Sequence, residues 1–193
     1  LLCAALCVTA FVLVLFTNLF TILLSVGALL LACTYPYMKR HTYLPQLVLG
    51  AAFAWSIPMA FAAVGETVPM VAWLIYLATL AWTMAYDTFY AMVDRDDDLQ
   101  AGIRSTAILF GDADLAMIGT LNALALFALW LVGNELKFSL WYYAGLLVAV
   151  ALWTWQLWQA RSRDRDACFK AFLHNHWVGA AIFAGIFLHY SFN

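Results

Sequence analysis

The chain has 193 residues, of which 66% are hydrophobic and only 10% charged, against roughly 45–50% and about 25% in soluble domains. That balance excludes an ordinary water-soluble globule, and a net charge of -2 argues against nucleic acid as a partner. The lipid bilayer is the implied solvent.

Spans of about 20 apolar helical residues cross a bilayer core of about 30 Å, and the punctuation between apolar runs predicts seven of them. The first covers 1–16 and the second 19–35, separated by Thr17 and Asn18 and closed by Pro36 with Lys39 and Arg40. The third covers 45–64, with Pro58 expected to kink it by removing the bond to the Ala54 carbonyl. Pro69 suits the first turn of the fourth, which runs through Met92 into an acidic loop. Arg104 to Phe110 reads as a short surface helix ending at Gly111, after which Asp112 or Asp114 can cap the fifth span, to Val132. The sixth covers 138–159 and the seventh 168–190. Cys3, Cys7, Cys33 and Cys168 form no CxxC pair, and the three inside apolar runs read as small buried hydrophobes. Leu1 opens inside an apolar run with no Met, which reads as a start within a longer protein.

Alternating helices put Lys39, Arg40, Arg95, Arg104, Arg161, Arg163, Arg165 and Lys170 on one side and Lys137 alone on the other. By the positive-inside rule the first side is cytoplasmic. On that side stand the aspartates of Tyr86-Asp87-Thr88-Phe89-Tyr90-Ala91-Met92-Val93-Asp94-Arg95-Asp96-Asp97-Asp98. At 100° per residue, Asp87, Asp94 and Asp98 fall within about 40° of one another if the helix continues that far, with Tyr90 about 60° away and Asp96 turned toward water. Acids at a helix C-terminus oppose the dipole and one another, so a cation is expected to compensate them. Mg2+ takes one or two carboxylates, waters and phosphate oxygens, which makes Asp87, Asp94 and Asp98 a candidate Mg2+ site for a diphosphate, with Lys39 and Arg40 to neutralise its oxygens. Ser56 either satisfies a carbonyl freed by Pro58 or touches substrate. Carboxylates inside membrane helices also serve ion-coupled transporters, but those typically sit near the midplane, whereas these lie at one end. A non-catalytic scaffold would tolerate neutral substitutions at the acids.

These residues resemble the UbiA superfamily of intramembrane prenyltransferases, and within it the bacterial branch that prenylates 4-hydroxybenzoate. The resemblance rests on Tyr35-Pro36-Tyr37-Met38-Lys39-Arg40, Leu44-Pro45-Gln46, Trp55-Ser56-Ile57-Pro58, the Tyr86 to Asp98 segment and Ser105-Thr106-Ala107-Ile108-Leu109-Phe110-Gly111. It implies an all-α polytopic transmembrane bundle, the chain forming one domain over 1–193 with seven spans of a nine-helix fold. It also implies Mg2+-dependent transfer of a polyprenyl group from polyprenyl diphosphate to the 4-hydroxybenzoate ring, ortho to the hydroxyl, in ubiquinone biosynthesis. Other aromatic acceptors occur among similar proteins. The enzyme would sit in the bacterial inner membrane with its active site toward the cytoplasm. By resemblance Asp94 is the acid nearest the chemistry, with Asp87 and Asp98 as metal partners. Lys39 would bind diphosphate and Arg40 the benzoate carboxylate or diphosphate, with Tyr35, Tyr90 and Ser56 also toward substrate. The family's first acidic motif, of the pattern Asn-Asp-x-x-Asp-x-x-x-Asp, is expected before Leu1. The fragment would then hold about half of the site and be inactive alone.

Overall fold

The computed structural model describes residues 2–192, except the side chain of Cys3, whose expected burial lies outside the described residues. Among the described residues, eleven α-helices follow one another with short connections: α1 (Leu2–Val14), α2 (Leu19–His41), α3 (Pro45–Ala54), α4 (Ser56–Gly65), α5 (Met70–Val93), α6 (Arg95–Gln100), α7 (Thr106–Phe110), α8 (Asp114–Glu135), α9 (Leu140–Gln159), α10 (Arg165–Leu173) and α11 (Asn175–Phe192). Six stretches of the described residues are long and apolar enough to cross a membrane: 19–41, 45–65, 70–93, 106–135, 140–162 and 165–192. Of the seven expected spans, the first forms only the 13 residues of α1, short of the length a bilayer requires.

Three departures from the expected boundaries have local causes. The second span does not stop at Pro36, and α2 runs through it to His41. Proline costs a helix one donor and one carbonyl partner, a loss that membrane helices tolerate. The expected kink near Pro58 appears as a break at Trp55, between α3 and α4, where the indole Nε1 donates to the Leu24 carbonyl at 2.8 Å. Asp114 does not cap α8 in the usual way. It is the first helical residue, follows Ala113 at the cap position, and turns its carboxylate to other partners.

Helix α5 lies at the centre, packed against α3, α8 and α10, while α9 pairs with α11. Two buried clusters fill the interior. One joins Ala85, Phe89, Met92, Ile118, Cys168 and Ala171 near the end of α5, and the other joins Ala81, Ala125, Ala149, Trp153 and Val178 one layer deeper. Leu23, Leu30, Leu124, Phe127, Leu147 and Phe183 face outward, as lipid contact allows. Cys7 and Cys33 are also exposed, against expectation, and only Cys168 is buried among the described cysteines. A thiol is small and weakly polar, so either environment suits it.

Lipid offers no apolar penalty that burial between helices would relieve, so close backbone approach and dispersion hold such bundles together. A close backbone approach joins α9 to α11. A Cβ on Gly145 would stand 2.7 Å from the Ala181 carbonyl oxygen and 3.1 Å from the Gly185 Cα. Because the obstacle is backbone, Gly145→Val forces the helices apart, at a cost of about 1–3 kcal/mol. A lowered midpoint of thermal unfolding in detergent checks this, and an unchanged midpoint contradicts it.

Candidate functional site

The site forms where α2 and α5 end on the same side of the bundle. Because α2 continues through Pro36, Tyr35 and Lys39 are four residues apart on one helix and share a face. Both turn toward α5: Tyr35 feels the charge of Asp87, and Lys39 that of Asp87 and Asp98. Arg40, one residue on, is exposed at the helix end.

The acidic segment is not one uninterrupted helix. Asp94, at φ -88 and ψ -2, separates α5 from α6. Hydrogen bonds nevertheless keep the four-residue register across this joint, from Asp94 N–H to the Tyr90 carbonyl at 3.2 Å and from Asp98 N–H to the Asp94 carbonyl at 2.8 Å. Asp94 is consequently in electrostatic contact with both Asp87 and Asp98. Asp96 and Asp97 are exposed and pair with Arg165, at 3.8 and 3.1 Å, although the charge of Asp97 still reaches Asp98.

Asp98 is 6% exposed, and its Oδ2 has no hydrogen-bond partner. Burial pushes its carboxyl above the usual carboxylate range, Lys39 pulls it down, and Asp94 and Asp97 push it up again. Three carboxylates facing one ammonium leave an excess of negative charge, and a buried acceptor without a donor is costly. A divalent cation relieves both, so the residues present fit Mg2+. No three or more His, Cys, Asp or Glu side chains among the described residues converge closely enough to cage a metal by themselves. Asp87, Asp94 and Asp98 therefore do not converge as a three-carboxylate cage, and a bound Mg2+ would draw the rest of its shell from water and phosphate oxygens.

Gln46, to which sequence pattern alone assigns no role, lies under the cluster. It is 2% exposed, its Oε1 accepts from the Thr106 N–H at 3.2 Å, and its side chain lies within interaction range of Asp87. Thr106 Oγ1 in turn meets Thr88 Oγ1 at 2.9 Å. The only sequence signal was a lone amide after the opening proline of an apolar helix. The loop between α6 and α7 closes over the same corner, since Arg104 N–H donates to the Lys39 carbonyl at 2.9 Å and its guanidinium to the His41 carbonyl at 3.0 Å.

Two expected substrate residues stand apart from this core. Tyr90 is 37% exposed and packs its ring on Phe172 and Phe169, with centroids 5.2 and 6.4 Å away. Phe172 also meets Tyr86 at 5.9 Å, so these rings form one aromatic face beside the acids. Ser56 is exposed at the break in the third span and donates to the Phe53 carbonyl at 3.0 Å, not to the Ala54 carbonyl that Pro58 frees.

Residues 1–188 match the profile of the UbiA prenyltransferase family. A protein of Pseudomonas syringae pv. tomato described as 4-hydroxybenzoate octaprenyltransferase is 59% identical over 182 residues, covering 94% of this chain and 62% of the relative. A relative from Ectopseudomonas mendocina with the same description is 57% identical over 188 residues, covering 97% and 64%. The chain thus spans less than two thirds of these curated relatives. The solved apo structure of a UbiA homologue from Aeropyrum pernix K1 superposes with a TM-score of 0.79 at 25% identity, over 92% of this chain and 67% of that one. A digeranylgeranylglyceryl phosphate synthase structure superposes with a TM-score of 0.74 at 19% identity, over 96% and 67%, a likeness of fold.

Proposed function

The chain belongs to the UbiA prenyltransferase family, and on that premise we propose that its protein transfers a polyprenyl group from polyprenyl diphosphate to the ring of 4-hydroxybenzoate, ortho to the hydroxyl. The observation that carries this reading is that Lys39, one turn beyond Tyr35 on α2, lies within electrostatic reach of both Asp87 and Asp98. An ammonium among carboxylates at the end of an apolar bundle suits a charged head on a lipid tail. The description shared by the relatives supplies the acceptor. A second acidic set, expected from the resemblance, would face this one from a part of the relatives that the chain does not cover.

Asp87, Asp94 and Asp98 are the residues that would hold Mg2+. Bound there, Mg2+ supplies Lewis-acid stabilisation of negative charge on the departing diphosphate. Lys39 binds diphosphate oxygens and keeps them paired as the carbon–oxygen bond breaks, stabilising charge where it develops. The Tyr90 ring, held by Phe169 and Phe172, presents a π-face to the allylic cation, an attraction worth about 0.5–2 kcal/mol. Arg40 at the rim takes the benzoate carboxylate or diphosphate. The phenol ring forms the new carbon–carbon bond ortho to its hydroxyl, and Asp94 accepts the proton released. Tyr35 borders the diphosphate, and Ser56 lines the approach through the third span. The excess of basic residues at this end supports an orientation toward the cytoplasm, in a bacterial inner membrane.

The test is product formation by membranes containing the complete protein, supplied with a polyprenyl diphosphate and labelled 4-hydroxybenzoate. Prenylated acid is expected with Mg2+ and is abolished by chelation. Substrate-dependent ion flux in liposomes without prenylated product would establish the transporter reading instead.

A further inference from the structure

Arg95 interrupts the acidic run, and its side chain leaves the site. Its guanidinium Nη2 donates to Asp114 Oδ2 at 2.5 Å. Asp114 is fully buried, while its other oxygen takes Arg163 Nη2 at 2.9 Å and the Leu115 N–H at 2.6 Å. Arg163 also donates to the Asp112 carbonyl at 2.8 Å, from a backbone at φ 58 that few residues adopt. One carboxylate therefore ties the start of α6, the start of α8 and the turn between α9 and α10.

Helix α6 has only six residues, too few to fix its own direction. Its other ion pairs, from Arg165 to Asp96 and Asp97, are exposed on both partners, and such pairs contribute little. The Arg95–Asp114 pair is its one ion pair with a buried partner among the described residues. Arg95 and Asp98 lie three positions apart, a fixed offset of about 60° around the helix. Holding Arg95 on the buried Asp114 therefore also fixes the direction of Asp98, which feels the charge of Lys39, with Asp94 at the joint.

We propose that Asp114 is a positioning residue for the acidic site: through Arg95 it sets the rotation of α6 and so presents Asp94 and Asp98 to metal and diphosphate. Its kinetic readout rests on the prenyl transfer proposed above, whereas its exchange readout does not.

The test compares Asp114→Asn, Arg95→Met, Arg95→Lys and Arg163→Gln in the complete protein. Residues supporting metal ligands are worth roughly 10–100-fold in metal affinity. Asp114→Asn and Arg95→Met are therefore expected to raise the KM for Mg2+ about tenfold while changing kcat less than about threefold. Amide hydrogen exchange across 95–104 rises in both variants and is restored by Arg95→Lys. Arg163→Gln, which leaves the Arg95–Asp114 pair in place, leaves both readouts near wild type although it loosens the turn. If Asp114→Asn does not fold, Arg95→Met carries the same comparison. Equal shifts in the Arg95→Met and Arg163→Gln proteins, or no change in exchange for Arg95→Met, overturn the proposal. Wild-type protein without prenyl transfer would refute the proposed function, and the exchange data would still decide the role of Asp114.

Discussion

Asp94→Asn lowers prenyl transfer by the complete protein roughly 10²–10³-fold, the loss expected when one preorganised charge at a reacting centre is neutralised. The substitution is nearly isosteric. The backbone bonds at Asp94, to Tyr90 and from Asp98, do not involve its side chain, so the joint between α5 and α6 persists. What changes is charge at a position within electrostatic reach of both Asp87 and Asp98. As proton acceptor, Asp94 controls kcat, and extra Mg2+ does not restore the rate. As a metal ligand alone, its loss would appear in the KM for Mg2+ and be largely recovered at high Mg2+. Initial rates over a range of Mg2+ concentrations separate the two, and undiminished transfer by the variant contradicts any role for Asp94 in the chemistry.

Lys39→Met lowers kcat/KM for the polyprenyl diphosphate roughly 10²-fold. Methionine keeps an apolar stem of similar reach and removes only the ammonium. The end of α2 stays in place because Arg104 is bonded to the carbonyls of Lys39 and His41. Without Lys39 the three carboxylates face the diphosphate with no protein cation between them, so repulsion enters the ground state as well as the transition state. Lys39→Arg does not fully rescue, because a planar fork does not occupy the place of a compact ammonium. Arg40→Met has a smaller effect, as Arg40 stands exposed at the rim. Steady-state rates with varied prenyl diphosphate check both.

Much of this site was legible in the sequence because its signals are local. Composition fixes the solvent, apolar run length locates the spans, and seven-residue spacing puts Asp87 and Asp94 on one face. Other parts were hidden for physical reasons. Pro36 reads as a stop by rules drawn from water, yet α2 passes through it, and that continuity puts Lys39 on the same face as Tyr35. The break at Trp55 depends on an indole bond to Leu24, 31 residues away. Gln46 acquires meaning only by meeting Thr106, 60 residues on. Arg95 looked like one more basic residue on the cytoplasmic side, since periodicity cannot reveal a partner 19 residues away, and Arg163 reaches the same Asp114 across 49.

The central claim is that the Tyr35–Lys39 face of α2 and the carboxylates of α5 and α6 together hold a metal-bound diphosphate. Its most direct test is calorimetric binding of an unreactive, sulfur-bridged prenyl diphosphate to the complete protein, with and without Mg2+, in wild type, Lys39→Met and Asp98→Asn. The expected result is tight binding that requires Mg2+ in wild type, weakened roughly tenfold or more by either substitution. Binding of equal strength in all three proteins, or binding indifferent to Mg2+, would contradict the claim.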